Sequence, residues 1–272
     1  MQSSIRKRLE KQHYAIVGNH SGVKLCHWLK QSLIHKRYCY KQSFYGIQSH
    51  RCLQMTPTLN QCNHSCSFCW RYQGFTETEL SPGDDPVVLL PKMIQAQRKL
   101  ITGFKGDPRC DQNKWEEANK PNMVACSLSG EPTLYPQLGR FFYECHKQNM
   151  TTFLVTNGTT PKILEDLDPL PSQLYVSLVA PNEEIYKKLC HPSIPNGWEK
   201  IKETLALLPS LETRTVIRHT LINEWNINDK YVPLYARLIE KANPDFVESK
   251  GYVFVGQSRK RMTLKHMPTH DQ

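Results

Sequence analysis

The sequence predicts an α/β fold, a partial (β/α)6 barrel of the TIM-like kind left open along one side. Three observations carry this. From residue 51 onward, short apolar runs rich in β-branched residues alternate with stretches of helical period. These units number about six, short of the eight that close a barrel. The first 50 residues keep a different rhythm and read as an N-terminal extension, so boundaries are expected at 1–50 and 51–272.

Taken in order, residues 3–12 read as a basic helix and Tyr14–Val17 as a short apolar run. Val23–Ile34 carries helical period, with Val23, Cys26, Leu29 and Leu33 on one side. Residues 35–50 are rich in Tyr, His and Gly and show no period. Strands are expected at Cys52–Met55, Met123–Leu128, Thr152–Val155, Leu174–Leu178, Thr213–Thr220 and Phe246–Val255, the last in two pieces. Helices are expected near 86–102, 136–149, 161–167, 182–189, 197–208 and 228–242. Thr76–Pro86 and Phe104–Asn122 are polar and broken by Pro or Gly, and read as rim loops.

Hydrophobic residues make up 39% of the 272 and charged residues 22%, enough for a sizeable core and against disorder. The formal net charge of +10 gathers at Arg6, Lys7, Arg8 and Lys11, at Lys36 and Arg37, and at Arg259, Lys260 and Arg261. Clustered positive charge suits a polyanion such as nucleic acid, although a basic surface without one accounts for the total equally. The N-terminal MQSSIRKRLEKQHY has no apolar signal core, and no stretch approaches the roughly 18 apolar residues of a membrane span. A cytoplasmic protein is expected. There, ten cysteines point to metal ligands or catalytic thiols rather than disulfides.

The first cysteine group is Cys62-Asn-His-Ser-Cys66-Ser-Phe-Cys69-Trp-Arg71. Three thiolates in so tight a loop hold three irons of a [4Fe–4S] cube and leave the fourth iron open. An open position is what separates a catalytic metal site from a structural one. Zinc, the alternative, needs a fourth ligand, His64 or a distant residue. The CxxxCxxC spacing with Phe68 before the last cysteine resembles the radical S-adenosylmethionine superfamily. There the methionyl amino and carboxylate groups chelate the open iron, and one electron cleaves the sulfonium to a 5′-deoxyadenosyl radical. Ser129-Gly-Glu-Pro-Thr133 resembles the superfamily's glycine–glutamate motif, Asn157-Gly158 ends the next strand and Ser177 the one after. The resemblance implies that Phe68, Gly130, Glu131, Asn157, Ser177 and Arg218 contact S-adenosyl-L-methionine.

A second trio is Cys26, Cys39 and Cys52. Taken alone, it is accounted for by three buried cysteines acting as small hydrophobes. Its neighbourhood changes that. Val23-Lys-Leu-Cys-His-Trp28, the run from Cys39 to Pro57 and the Cys62–Arg71 loop resemble the tRNA 4-demethylwyosine synthases of wyosine and wybutosine tRNA modification. Later runs agree: SLSGEPTLYP, FLVTNGTTP, SQLYVSLVAP, TRTVIRHTLINEWN and GYVFVGQSRKRM. The resemblance covers essentially the whole chain and is to the compact archaeal type. It lacks the flavodoxin-like domain of eukaryotic members, and the family continues past Gln272 with a further helix and closing segment.

The resemblance implies a second [4Fe–4S] cluster on Cys26, Cys39 and Cys52, and a lyase that condenses pyruvate with N1-methylguanosine at position 37 of tRNA-Phe. The radical takes a hydrogen from the N1-methyl group, and the carbon radical attacks the pyruvate carbonyl, closing a third ring. A base in the anticodon loop must be splayed out to react. Lys41 matches the family lysine proposed to form a Schiff base with pyruvate. From the residues alone it is either a covalent catalyst or a cationic clamp. An iron chelating pyruvate beside it supplies the polarisation an imine would, which favours chelation with Lys41 assisting.

An external low-potential electron donor of the flavodoxin or ferredoxin kind, and a monomer, are expected. Trp70 and Arg71 are candidates to cover the cluster or meet the base. His50 and Arg51 suit phosphate contact or loop support, and Arg259–Arg261 with the basic N-terminus suit phosphate contact. Cys110, Cys126, Cys145 and Cys190 lack ligand spacing and read as structural. The competing readings are another two-cluster radical enzyme, acting on a peptide or metabolite, and a zinc-stabilised tRNA-binding module without catalysis.

Overall fold

The structure, a computed structural model, describes residues 3–73 and 83–272. Contacts divide these residues into two compact units, one of residues 3–59 and 83–154, the other of 60–73 and 155–272.

The first unit opens with α1 (Ser3–Lys11), which buries Ile5 and Leu9 one helical turn apart. Next, β1 (Ala15–Val17) and β2 (Ser21–Val23) pair antiparallel, and β2 pairs antiparallel with β3 (Cys52–Thr56). The helix expected from Val23 begins only at His27, as α2 (His27–Ile34), because Val23 is spent in β2, opposite Met55. A further short helix, α3 (Tyr40–Tyr45), lies in the stretch that shows no period. From β3 the ladder is parallel, through β4 (Met123–Cys126) to β5 (Thr151–Thr156), with Cys52 opposite Met123 and Met123 opposite Thr151.

Between β3 and β4 runs α4 (Pro86–Ile101). Asp85 caps it by accepting from the Val87 N–H at 2.9 Å, a contact worth about 1 kcal/mol in helices of this kind. Leu89, Leu90, Met93, Gln97 and Ile101 form its buried face. The loop expected at Phe104–Asn122 contains α5 (Gln112–Ala118), capped by Asp111 through the Lys114 N–H. Most of the other expected loop, Thr76–Pro86, lies outside the described residues, and Pro86 begins α4. Between β4 and β5, α6 (Leu138–Lys147) buries Phe141, Phe142 and Cys145. Leu29 and Leu33 of α2 pack with Ile101, Cys110 and Ala118, and Leu25 and Cys26 lie against this cluster. The helix entry that carries Cys26 is thereby tied to the core.

The second unit holds α7 (Pro161–Glu165), β6 (Gln173–Ser177), α8 (Glu183–Cys190), α9 (Gly197–Leu207), β7 (Arg214–Leu221), α10 (Val232–Ala242) and β8 (Phe246–Gly251). β6 pairs parallel with β7, and β7 with β8, so that Ser177 faces Arg218 and Arg218 faces Glu248 along the ladder. Four consecutive residues of β6 are buried, as expected of a parallel strand covered on both faces. The strand expected to reach Val255 stops at Gly251. Asn182 caps α8 by accepting from the Ile185 N–H at 3.0 Å, and His191 ends the helix in the left-handed region at φ 42°. Among the described residues, no helix is long and apolar enough to cross a membrane.

Candidate functional site

The ten cysteines sort into two environments. The six in the two trios are half-buried, whereas Cys110, Cys126, Cys145 and Cys190 are buried.

In the second unit the Cys62–Cys69 loop has no regular secondary structure, and its shape comes from hydrogen bonds at both ends and in the middle. The last turn of α8 accepts two of its N–H groups, Ser65 to Cys190 O at 3.0 Å and Ser67 to Leu189 O at 2.8 Å. These are carbonyls that a helix end leaves without internal partners. The Ser67 hydroxyl meets His191 Nε2 at 2.9 Å, and His64 Nε2 meets the Tyr186 hydroxyl at 2.8 Å. Asn63 donates to Thr159 Oγ1 and accepts from Asn157 Nδ2, each at 2.7 Å. Burial holds His64 down to about 4, so its ring is neutral near pH 7.

C-terminal residues brace the same loop. Arg261 donates to Ser67 O at 3.1 Å and to Cys69 O, and the Gln257 N–H donates to Trp70 O at 2.9 Å. Gly256 sits at φ 59°, where an added Cβ would come 2.5 Å from Trp70 O. Only glycine fits this approach. Of the Arg259–Arg261 run, then, Arg261 is spent on the loop, and Arg259 stacks its guanidinium 5.2 Å from the Phe254 ring.

Of the residues expected around S-adenosylmethionine, Phe68 is half-buried within the loop. Asn157 Oδ1 also accepts from Thr159, so its amide braces the loop from the end of β5. Ser177 ends β6, while Arg218 donates to Glu248 at 3.2 Å and lies 4.5 Å from the Tyr175 ring. In the first unit, Gly130 adopts φ 75° in the loop that follows β4. Beside it Glu131 is buried and accepts from the Thr133 N–H and hydroxyl, and Ser129 is held by Thr56 and Leu59.

The second trio lies entirely in the first unit. Cys26 and Cys39 each occupy the residue before a helix, α2 and α3, and Cys52 opens β3. Burial pushes the Cys52 thiol up to about 12, Cys26 and Cys39 add to this, and the Lys41 ammonium opposes it. Those four groups therefore share one electrostatic neighbourhood. Lys41 projects from α3 with Nζ 4.0 Å from the ring centre of Phe153 on β5. The Cys39 end is held by its N–H to Ser49 Oγ at 3.0 Å and by the Ser49 N–H to Gln42 Oε1 at 3.1 Å. His50 bonds Glu117, and Arg51 bonds Lys120 O and Gln48, so this pair supports the loop.

Each trio offers soft thiol donors at half-exposed positions on a braced scaffold, a donor set that fits an iron–sulfur cube with one open iron. One contact had no signal in the sequence: the Cys190 sulfur, the Cys66 sulfur and a ring nitrogen of His64 lie within 4.8 Å of one another. No spacing rule links positions this far apart in the chain.

Residues 56–231 match the family model described as radical SAM superfamily, and residues 241–272 match that of wyosine base formation. The S-adenosyl-L-methionine-dependent tRNA 4-demethylwyosine synthase of Pyrococcus horikoshii is 54% identical over 99% of this chain and 80% of its own length. The Homo sapiens synthase TYW1 is 38% identical over 99% of this chain, which spans 37% of that longer protein. A structure of TYW1 with a lysine-pyruvate adduct bound aligns with all of this chain and 86% of its own at a TM-score of 0.89 and 38% identity. The chain belongs to the tRNA 4-demethylwyosine synthase family of radical S-adenosylmethionine enzymes.

Proposed function

We propose that this synthase carries two [4Fe–4S] clusters, one on Cys62, Cys66 and Cys69 and one on Cys26, Cys39 and Cys52. With them it condenses pyruvate with N1-methylguanosine at position 37 of tRNA-Phe to give 4-demethylwyosine. The observation that carries the reading is the shared neighbourhood of Cys26, Cys39, Cys52 and Lys41. It supports a pyruvate site built on residues 1–50 and the start of β3. The parallel ladders β3–β4–β5 and β6–β7–β8 support an open (β/α)6 barrel as the form of the fold.

When bound, the first cluster supplies the electron that cleaves S-adenosylmethionine, and the second an electrophilic iron beside the pyruvate. The remaining work falls to side chains. Phe68, Gly130, Glu131, Asn157, Ser177 and Arg218 are the proposed S-adenosylmethionine contacts. Gly130 has no Cβ to hinder the approach of the methionyl group. Asn157 also braces the cluster loop, and Arg218 supplies positive charge beside Ser177. Lys41 takes pyruvate as an imine: its amine attacks the carbonyl carbon, and water leaves. The lysine-pyruvate adduct held by TYW1 favours this over simple chelation assisted by Lys41. Buried Phe153 holds the resting ammonium by cation–π attraction on one side, and the lysine gives up a proton to solvent before its amine attacks. The anticodon loop delivers the base splayed out of its stack, and a flavodoxin- or ferredoxin-like protein supplies the electron. In this scheme the chain acts as a monomer in the cytoplasm.

The test is the second trio. Replacing Cys26, Cys39 and Cys52 with Ala is expected to lower iron and sulfide from about eight to about four of each per chain. Uncoupled 5′-deoxyadenosine formation should survive and tRNA product should be lost. A triple variant with its full iron complement would remove the second cluster.

A further inference from the structure

Cys190 reads as a structural thiol in the sequence, and its surroundings are unusual for one. It ends α8, is 1% exposed, and brings its sulfur within 4.8 Å of the Cys66 sulfur. The approach is fixed by backbone, since Ser65 and Ser67, on either side of Cys66, donate to the carbonyls of Cys190 and Leu189. His64, the third member of the group, is turned to Tyr186.

Two uses of Cys190 can be set aside. Its sulfur is too near that of Cys66 to serve a different iron of the same cube. A disulfide between the two would remove a ligand from the cluster. What remains is a buried thiol beside a ligand sulfur, placed to donate a hydrogen bond to it. Such bonds are among the determinants of cluster potential, because they stabilise the extra negative charge of the reduced state.

Resting on the cluster assignment above, we propose that the Cys190 thiol donates a hydrogen bond to the Cys66 sulfur of the bound cluster and raises that cluster's reduction potential. Cys190 is thus a positioning residue for the electron-transfer step. It acts through Cys66 and touches neither S-adenosylmethionine nor tRNA.

The test is a redox titration of the anaerobic holoenzyme without tRNA or pyruvate, followed by electron paramagnetic resonance. The signal to follow is the one whose shape changes when S-adenosylmethionine is added. Cys190→Ala and Cys190→Val remove the donor, and both are expected to shift the midpoint to more negative potential at unchanged iron content. Cys190→Ser keeps a donor at the same place and should titrate with the wild type. Coincident midpoints for all four proteins would overturn the proposal, as would a Ser variant that moves with Ala and Val. Loss of the cluster from both Ala and Val variants would make the residue structural and overturn it too. Absence of any S-adenosylmethionine-sensitive signal in the wild type is a different failure, that of the cluster assignment itself.

Discussion

Replacing Cys62, Cys66 and Cys69 together with Ala is expected to bring S-adenosylmethionine cleavage down to the level seen without enzyme. The physical reason is the strength of the bond to be broken. A methyl C–H is not activated, so no side chain of this protein abstracts its hydrogen, and without iron on this loop nothing reduces the sulfonium. Iron content should fall by about half, the four irons of the other trio remaining. The loop's own bracing does not depend on its thiols. Asn63, Ser65 and Ser67 hold it to Thr159 and the end of α8, so the variant should stay folded, with its circular dichroism unchanged. Residual 5′-deoxyadenosine at more than background would mean that the electron enters through another centre.

Lys41 carries the next largest effect. Borohydride added with pyruvate should reduce the imine and leave a stable adduct on this residue, found by peptide mass spectrometry. Lys41→Arg keeps the positive charge beside Cys52 but stays protonated and forms no imine. It is therefore expected to be as inactive in product formation as Lys41→Ala, while both variants still cleave S-adenosylmethionine. Appreciable product from Lys41→Arg, with no trapped adduct in the wild type, would return the lysine to the part of a cationic clamp. In that case pyruvate should alter the second cluster's paramagnetic spectrum even in Lys41→Ala.

Features carried by residues close in the chain were legible in the sequence. The superfamily was legible from the spacing in the Cys62–Cys69 loop, and the apolar runs from Cys52 onward match β3 to β7 to within a few residues. Pairing across distance was not legible. β1 and β2 are three residues each, and only the antiparallel ladder to β3 makes them strands. For α5 a signal was present, the Asp111 cap three residues before Lys114, but Pro and Gly earlier in the same stretch outweighed it. Charge misled once. Arg261 belongs to a basic run suited to phosphate, yet its guanidinium is bonded to two carbonyls of the cysteine loop. Cys190 is the limiting case, since its meaning rests wholly on where α8 ends.

The most direct measurement is anaerobic turnover of the reconstituted protein with tRNA-Phe carrying N1-methylguanosine, pyruvate, S-adenosylmethionine and a low-potential reductant, read by nucleoside mass spectrometry. The account predicts 4-demethylwyosine whose two added carbons come from labelled pyruvate, and no such nucleoside when pyruvate is left out. Cleavage of S-adenosylmethionine at full rate with N1-methylguanosine left unchanged, whatever the pyruvate concentration, would contradict it.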